Sequence, residues 1–291
     1  METSEQINPA VITPTTDLMK QPLQNKRRFW DTKTTIRLAL IIVILGILSF
    51  GTVLYVARGA QPGEPLYTIK TTLTEPAFTL TKLSPTSRIS YTTYLLERRI
   101  AELTTLAGDT GTSSPELLAT VSSLIETHTT DIVDTIENNP NLDGVTKINF
   151  LAKADTVTRA AETLSDTTPE LTTITDTLTS AENHVGDALT ESIASFVTTN
   201  ATDTIQSFIT TQITAVGTEV VTTAPGSKAQ SLVIRRISDA QESIADSKWV
   251  DAITYLLRAR QAIAVDGYLF SAERGPVDGI EIEAVPVPEG N

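Results

Sequence analysis

Two histidines, His128 and His184, are the only imidazoles in a 291-residue chain that has no cysteine. The missing cysteines remove thiolate nucleophiles, cysteine zinc sites and disulfide frameworks. A metal held by histidine would need two or more further ligands at fixed spacing. These histidines instead lie far apart, His128 on the apolar stripe of a helical pattern and His184 beside one. A buried or interfacial imidazole is the expected state of each. The motifs HExxH, GxSxG, GxxxxGKS/T and GxGxxG are all missing. Carboxylates are plentiful but scattered. Asp131, Asp134 and Glu137 follow at helical spacing, and Glu97 and Glu102 flank Arg98 and Arg99. Solvated helix faces have this pattern. The stretch NNPNLDG at 138–144 lacks the alternating ligands and terminal Glu of a calcium loop. Arg235, Arg236, Arg258 and Arg260 form a basic concentration, for which salt bridges to acidic helices or contact with an acidic envelope polymer are the two readings. The residue types therefore predict no catalytic, cofactor-binding or metal-binding residues and no enzyme. An unfamiliar enzyme would need a pocket lined by several polar groups.

The elements that position these residues are helical and begin with a hydrophobic run. Leu38 to Ala57 reads LALIIVILGILSFGTVLYVA, twenty residues without a charge, which at 1.5 Å per residue matches a hydrocarbon core of about 30 Å. Backbone groups in lipid must be satisfied internally, so such a span is helical. A cleaved signal peptide is shorter and ends on small residues, whereas Tyr55-Val56-Ala57-Arg58 is a poor cleavage sequence. Lys26, Arg27, Arg28, Lys33 and Arg37 precede the run and Arg58 alone follows at once. This asymmetry predicts a cytoplasmic N-terminus and an extracytoplasmic C-terminal part in a single-pass cell-membrane protein, with Trp30 and Tyr55 near the two interfaces. The net charge of −13 is uneven: residues 1–37 carry six basic and four acidic groups, leaving −15 for the remainder. Such a field repels nucleic acid and anionic lipid, so neither is expected as a ligand of the part beyond the span, and nucleic acid is excluded as a partner.

Residues 1–37 are expected as a mostly disordered tail, 38–57 as the membrane helix and 58–65 as a linker. Residues 66–270 are expected as a helical extracytoplasmic domain and 271–291 as a disordered, acidic, Pro-rich tail. Within the domain, Ser84-Pro85 and Ser114-Pro115 open helices that stop at Gly108 and Asn138-Asn139-Pro140. A third runs from about Gly144 to Leu164, Thr168-Pro169-Glu170 opens a fourth, and a fifth carries Ile205 to Val220 and stops near Ala224-Pro225-Gly226. The last two, Ser231 to Ala245 and Lys248 to Tyr268, are joined by Asp246-Ser247 and predict an antiparallel hairpin over 231–268. Threonine is frequent throughout and weakens helix propensity, but a period of three to four, not two, decides against strands. The stripes of the fourth and fifth segments suit either a core or a seam between copies. The fold class is all-α: one transmembrane helix, then an extended multi-helix bundle ending in a helical hairpin.

Gln61-Pro62-Gly63-Glu64-Pro65-Leu66-Tyr67-Thr68-Ile69-Lys70 resembles the PGDPLYxxK opening of an uncharacterised bacterial extracytoplasmic domain of unknown function, and Glu97-Arg98-Arg99-Ile100-Ala101-Glu102-Leu103 resembles the ERRLAEL helix that follows it in that family. The resemblance covers about residues 61–103, with Glu64 where the family has Asp. It implies a domain just outside a single span, and a structural part for Pro62, Gly63, Glu64, Pro65, Leu66, Tyr67, Lys70, Glu97, Arg98 and Arg99. On physical grounds Pro62 and Gly63 end the linker, Pro65 suits a first helical turn, and Leu66 and Tyr67 supply the first core anchors. Some relatives resemble regulators with a cytoplasmic zinc-binding domain. The tail here is too short for one and has neither Cys nor His, so that role is not carried over.

The expected function is a non-catalytic, membrane-anchored scaffold or protein-interaction module of a bacterial envelope. Its partners are the bilayer, through Leu38 to Ala57, and an envelope protein or a second copy. The alternative is a single-pass signal transducer coupling the outer domain to a cytoplasmic partner.

Overall fold

A computed structural model describes residues 32–108, 114–222 and 228–274. The expected tails outside these limits and the expected stop at Ala224-Pro225-Gly226 lie beyond the described residues, as does Trp30. The described residues are helical and contain no strand. The chain divides into two units, Met1–Gly51 and Thr52–Asn291.

In the first unit the described residues belong to α1, Thr32–Ala57, a helix that continues into the start of the second. Its apolar side chains at Ile36, Leu40 to Leu45, Val53, Tyr55 and Val56 are all exposed. Among the described residues no helix is long and apolar enough to cross a membrane. Within the uncharged run, the side chains at 38 and 46–48 are among those outside the described ones.

The second unit begins with a short, irregular helical passage. It comprises α2 (Tyr67–Ile69), a π turn (Lys70–Thr74) and α3 (Glu75–Leu80). Pro65 falls in the turn ahead of α2 and not in its first helical turn. The bundle follows as α4 (Pro85–Gly108), α5 (Pro115–Glu137), α6 (Gly144–Thr167), α7 (Thr175–Thr199), α8 (Thr202–Thr222), α9 (Lys228–Ala245) and α10 (Trp249–Arg274). The fourth expected helix opens as a 3-10 turn, Pro169–Ile174, and Thr168 ahead of it makes no side-chain cap.

Local chemistry accounts for the helix ends. The Ser114 hydroxyl accepts from the Leu117 N–H at 3.3 Å, with Pro115 at the first helical position. Asp143 accepts from the Thr146 N–H at 2.9 Å and from the Thr146 hydroxyl at 2.6 Å. Gly144, just after that cap, lies so close to the Phe196 ring that a Cβ would stand 2.8 Å from Phe196 Cδ2. Between α9 and α10 the chain turns at Ser247, whose φ is 59°. Threonine, unfavourable by propensity, is accommodated because its hydroxyl donates to the carbonyl four residues back, as from Thr93 to Ile89, Thr129 to Ile125 and Thr158 to Ala154.

Packing proceeds by neighbours: α4 on α5, α6 on α7, and α9 on α10, with α10 also against α4, α6, α7 and α8. One continuous core runs from Ile89, Leu96 and Leu103 through Ile125, Ile132, Leu151 and Leu178 to Ile253 and Leu256. The stripes of α7 and α8 point into it, since Leu178, Val185, Ile193, Ile205 and Ile209 are buried. A smaller cluster, Val216, Val233 and Ala259, closes the end where α8, α9 and α10 meet.

Candidate functional site

The feature with the highest density of buried charge lies where the irregular passage meets α4. Lys70, Glu75, Arg99 and Glu102 are each no more than 5% exposed, and Tyr67 is 4% exposed. Isolated charges at such depth are expensive, so each has to find an opposite partner. The Lys70 ammonium donates to Glu102 Oε1 at 2.5 Å and to the Ala60 carbonyl at 2.9 Å. Arg99 Nη1 donates to Glu102 Oε2 at 2.5 Å and to the Tyr67 hydroxyl at 2.7 Å. Arg99 Nη2 donates to Glu75 Oε1. Tyr67 in turn donates to Glu102 Oε2 at 2.7 Å. Its ring also carries both cations, with Lys70 Nζ 5.0 Å and the Arg99 guanidinium carbon 5.7 Å from its centroid. Two cations therefore face two carboxylates around one phenol.

The π turn makes this convergence possible. In an α-helix positions 70 and 75 would stand about 140° apart around the axis. Here the Glu75 N–H bonds to the Lys70 carbonyl, an i to i+5 closure that brings both side chains toward one face. Burial pulls the Lys70 ammonium below its ordinary value, opposed by the Glu102 carboxylate. It pushes Glu75 up, opposed by Arg99. The Tyr67 phenol is raised by burial and then by Glu102, so it is a neutral hydrogen-bond donor at physiological pH.

Three consecutive side chains of α4 reach in three directions. Glu97 accepts from the Tyr268 hydroxyl of α10 at 3.2 Å and pairs with Lys153 of α6 at 3.0 Å. Arg98 Nη2 donates to the Arg58 carbonyl at 2.6 Å. Arg99 holds α2 and α3 through the cluster. Upstream, Gly63 has φ of +92°, a backbone state suited to glycine, and Glu64 Oε2 accepts from the Gln61 N–H at 2.8 Å. Pro62 and Pro65 lie in the same turns, and Leu66 packs half-buried against the core. The structure thus gathers nearly every motif residue around one junction.

Sequence reasoning missed Glu75, which precedes Pro76 and reads as a surface acid. A lone signal pointed to it: a carboxylate within reach of Tyr67 and Lys70 in a motif that already held two arginines. Glu102, whose spacing suggests a solvated face, is instead buried. His128 is buried, as its stripe position implies, and both of its ring nitrogens are without a hydrogen-bond partner among the described residues. Burial, then the Arg99 charge, lowers its pKa to about 3. His184 is exposed.

A second polar site lies among α6, α7 and α10. Asp155, pushed up to about 6 by burial, accepts from Gln261 Nε2 at 2.6 Å, while Arg159 pairs with Glu182. Beside it a cavity of about 600 Å³ is lined by Arg159, Leu232, Arg236, Arg258, Gln261 and Val265. Of the four basic residues in this region, Arg260 is paired, with Glu219 at 2.8 Å. No group of three or more His, Asp or Glu able to hold a metal ion occurs among the described residues. Comparison with family models, with curated proteins and with solved structures gives no match.

Proposed function

We propose that the chain is a non-catalytic, membrane-anchored helical scaffold of a bacterial envelope, with its bundle outside the cell. The observation that carries this reading is the division of labour among Glu97, Arg98 and Arg99, which tie the chain leaving α1 to α2, α3, α6 and α10. Such a clamp engages the hydrogen-bonding ends of Lys70, Tyr67 and Glu102 within itself, which suits a structural part. The anchor itself is the uncharged run Leu38 to Ala57, whose described large apolar side chains in α1 are mostly exposed. The basic residues ahead of it orient the bundle outward. Partners of the bundle are an envelope protein or a second copy, and the motif over residues 61–103 agrees with a domain placed just outside a span.

The test exploits the cysteine-free chain. In cells producing the full chain, Leu232→Cys should react with a membrane-impermeant maleimide and Glu5→Cys should react only after permeabilisation, with the protein resisting alkaline extraction from membranes. Labelling of Glu5→Cys in intact cells, or release by alkali, overturns the topology. A photo-crosslinker at Ile234, which is 58% exposed, should capture a discrete envelope protein or a second copy. Capture of a cytoplasmic regulator through the tail alone would replace the scaffold with a transducer.

A further inference from the structure

We infer that the passage Leu73–Leu83 rests on the outer surface of the lipid bilayer, with Leu80 and Leu83 inserted among the headgroups. The inference rests on the reading of α1 as a membrane anchor and specifies a second contact with the same bilayer.

Outside α1, the exposed large apolar side chains among the described residues are Leu73, Phe78, Leu80, Leu83, Tyr94, Leu232 and Ile234. Four of these seven fall within eleven consecutive positions, and the two most exposed are Leu83 at 96% and Leu80 at 83%. Scattered single exposures need no explanation, but a cluster of this kind marks an interaction surface. Its place relative to the end of α1 is fixed by direct contact. The Arg58 guanidinium, the first residue after α1, stands 5.5 Å from the centroid of the Phe78 ring. The intervening chain is pinned by the bonds from Arg98 to the Arg58 carbonyl and from Lys70 to the Ala60 carbonyl. Phe78, and with it α3, therefore sits beside the point where the chain leaves α1.

Charge selects lipid over protein as the occupant. From Pro76 to Leu96 there is no acidic residue, although the chain beyond residue 37 carries a balance of −15. Lys82 and Arg88 lie in that window, Arg58 lies beside Phe78, the acid that precedes the window, Glu75, is buried against Arg99, and Asp131 of α5 is within electrostatic reach of Arg88. Exposed leucines interleaved with lysine and arginine suit the boundary between acyl chains and phosphate headgroups, where long cationic side chains reach up to the phosphates. The threonines of the passage, Thr74, Thr79 and Thr81, have their hydroxyls bonded back to the Ile69, Glu75 and Phe78 carbonyls, which keeps these side chains locally satisfied at such a surface.

The experiment places a bimane label on single cysteines of the full chain in nanodiscs of phosphatidylcholine with a minority of phosphatidylglycerol, containing lipids that carry a nitroxide close to the headgroup. Ile44→Cys reports the anchor, Leu83→Cys the docking passage, and Leu232→Cys an exposed leucine of α9. The expected result is several-fold quenching at 83 and clear quenching at 44, with 232 unchanged. Quenching at 44 with 83 no different from 232 overturns the docking and leaves the anchor standing. No quenching at 44 overturns the anchor and the docking together. Burial of the label at 83 without quenching by lipid also overturns the docking, because another surface then covers the patch.

Discussion

The Tyr67 hydroxyl donates to Glu102 Oε2 at 2.7 Å and accepts from Arg99 Nη1 at 2.7 Å, so one phenol bridges a buried acid and a buried base. The same ring lies under both cations of the cluster. Removing only its oxygen leaves the ring in place and deprives two charged groups of one hydrogen bond each. Tyr67→Phe should lower the stability of the full chain in detergent micelles by about 1–3 kcal/mol. Urea denaturation should show a lower midpoint with an unchanged slope.

Arg99 presents a larger case, because Glu75 and Glu102 both depend on it. Arg99→Met strands one carboxylate outright and weakens the other, which by general experience with buried pairs costs about 3–5 kcal/mol. The triple change Arg99→Met, Glu75→Leu, Glu102→Met removes the stranded charges, with Lys70 changed to Met as well so that no cation is left alone. This quadruple variant should recover most of the loss in the same denaturation measurement. Failure to recover would mean that the charges specify the fold, beyond balancing one another.

His128 should make the protein acid-sensitive. Its pKa in the unfolded chain is near 6.5, and in the fold it is lowered to about 3 by burial and then by Arg99. The neutral ring is the form favoured by folding, so its contribution is complete above pH 6.5 and is lost as pH falls from 6.5 toward 3. His128→Leu removes two buried ring nitrogens that have no partner. The variant should be at least as stable as the parent at pH 7 and should lose less stability between pH 6.5 and 4, as read from thermal melts across that range.

Asp155 should act with the opposite sign. Its folded value of about 6 lies above the ordinary 3.8, first through burial, with Arg159 opposing and Glu182 reinforcing the rise. The protonated form is favoured by folding, so the advantage is full below 3.8 and is lost as pH rises through 6. At pH 7 the ionised group therefore burdens the fold by up to about 3 kcal/mol, at 1.36 kcal/mol per pH unit. Asp155→Asn should raise stability at pH 7 and flatten the pH dependence between about 4 and 6, measured against the parent in parallel melts.

Gly63 should tolerate no side chain. Its φ of +92° is outside the range that L residues adopt at low cost, and a Cβ there would also meet Leu117 Cδ1 at 3.3 Å. Gly63→Ala should cost about 1–3 kcal/mol, whereas Gly217→Ala, on α8 with no atom within 4 Å of its Cβ position, should be neutral or mildly stabilising. The paired denaturation midpoints check the contrast.

Much of the helical layout was legible in the sequence because its determinants are local. Ser114-Pro115 announces a helix start through a cap that accepts from an N–H three residues on, and the stripe Leu118, Val121, Ile125, His128, Ile132 announces a buried face through its period alone. The burial of His128 followed from the same stripe. What the residues could not declare was which charged groups meet. Glu97, Arg98, Arg99 and Glu102 look, along one helix, like a solvated charge run, and Glu75 looks like a surface acid before a proline. Their meeting depends on a π turn at Lys70–Thr74 and on packing between positions 24 to 35 apart; the Asp155 to Gln261 bond spans 106. Periodicity and capping report how each segment presents its faces to water. Only tertiary packing decides which of those faces lose their water together, and a charge becomes structural only when that loss forces it to find its opposite.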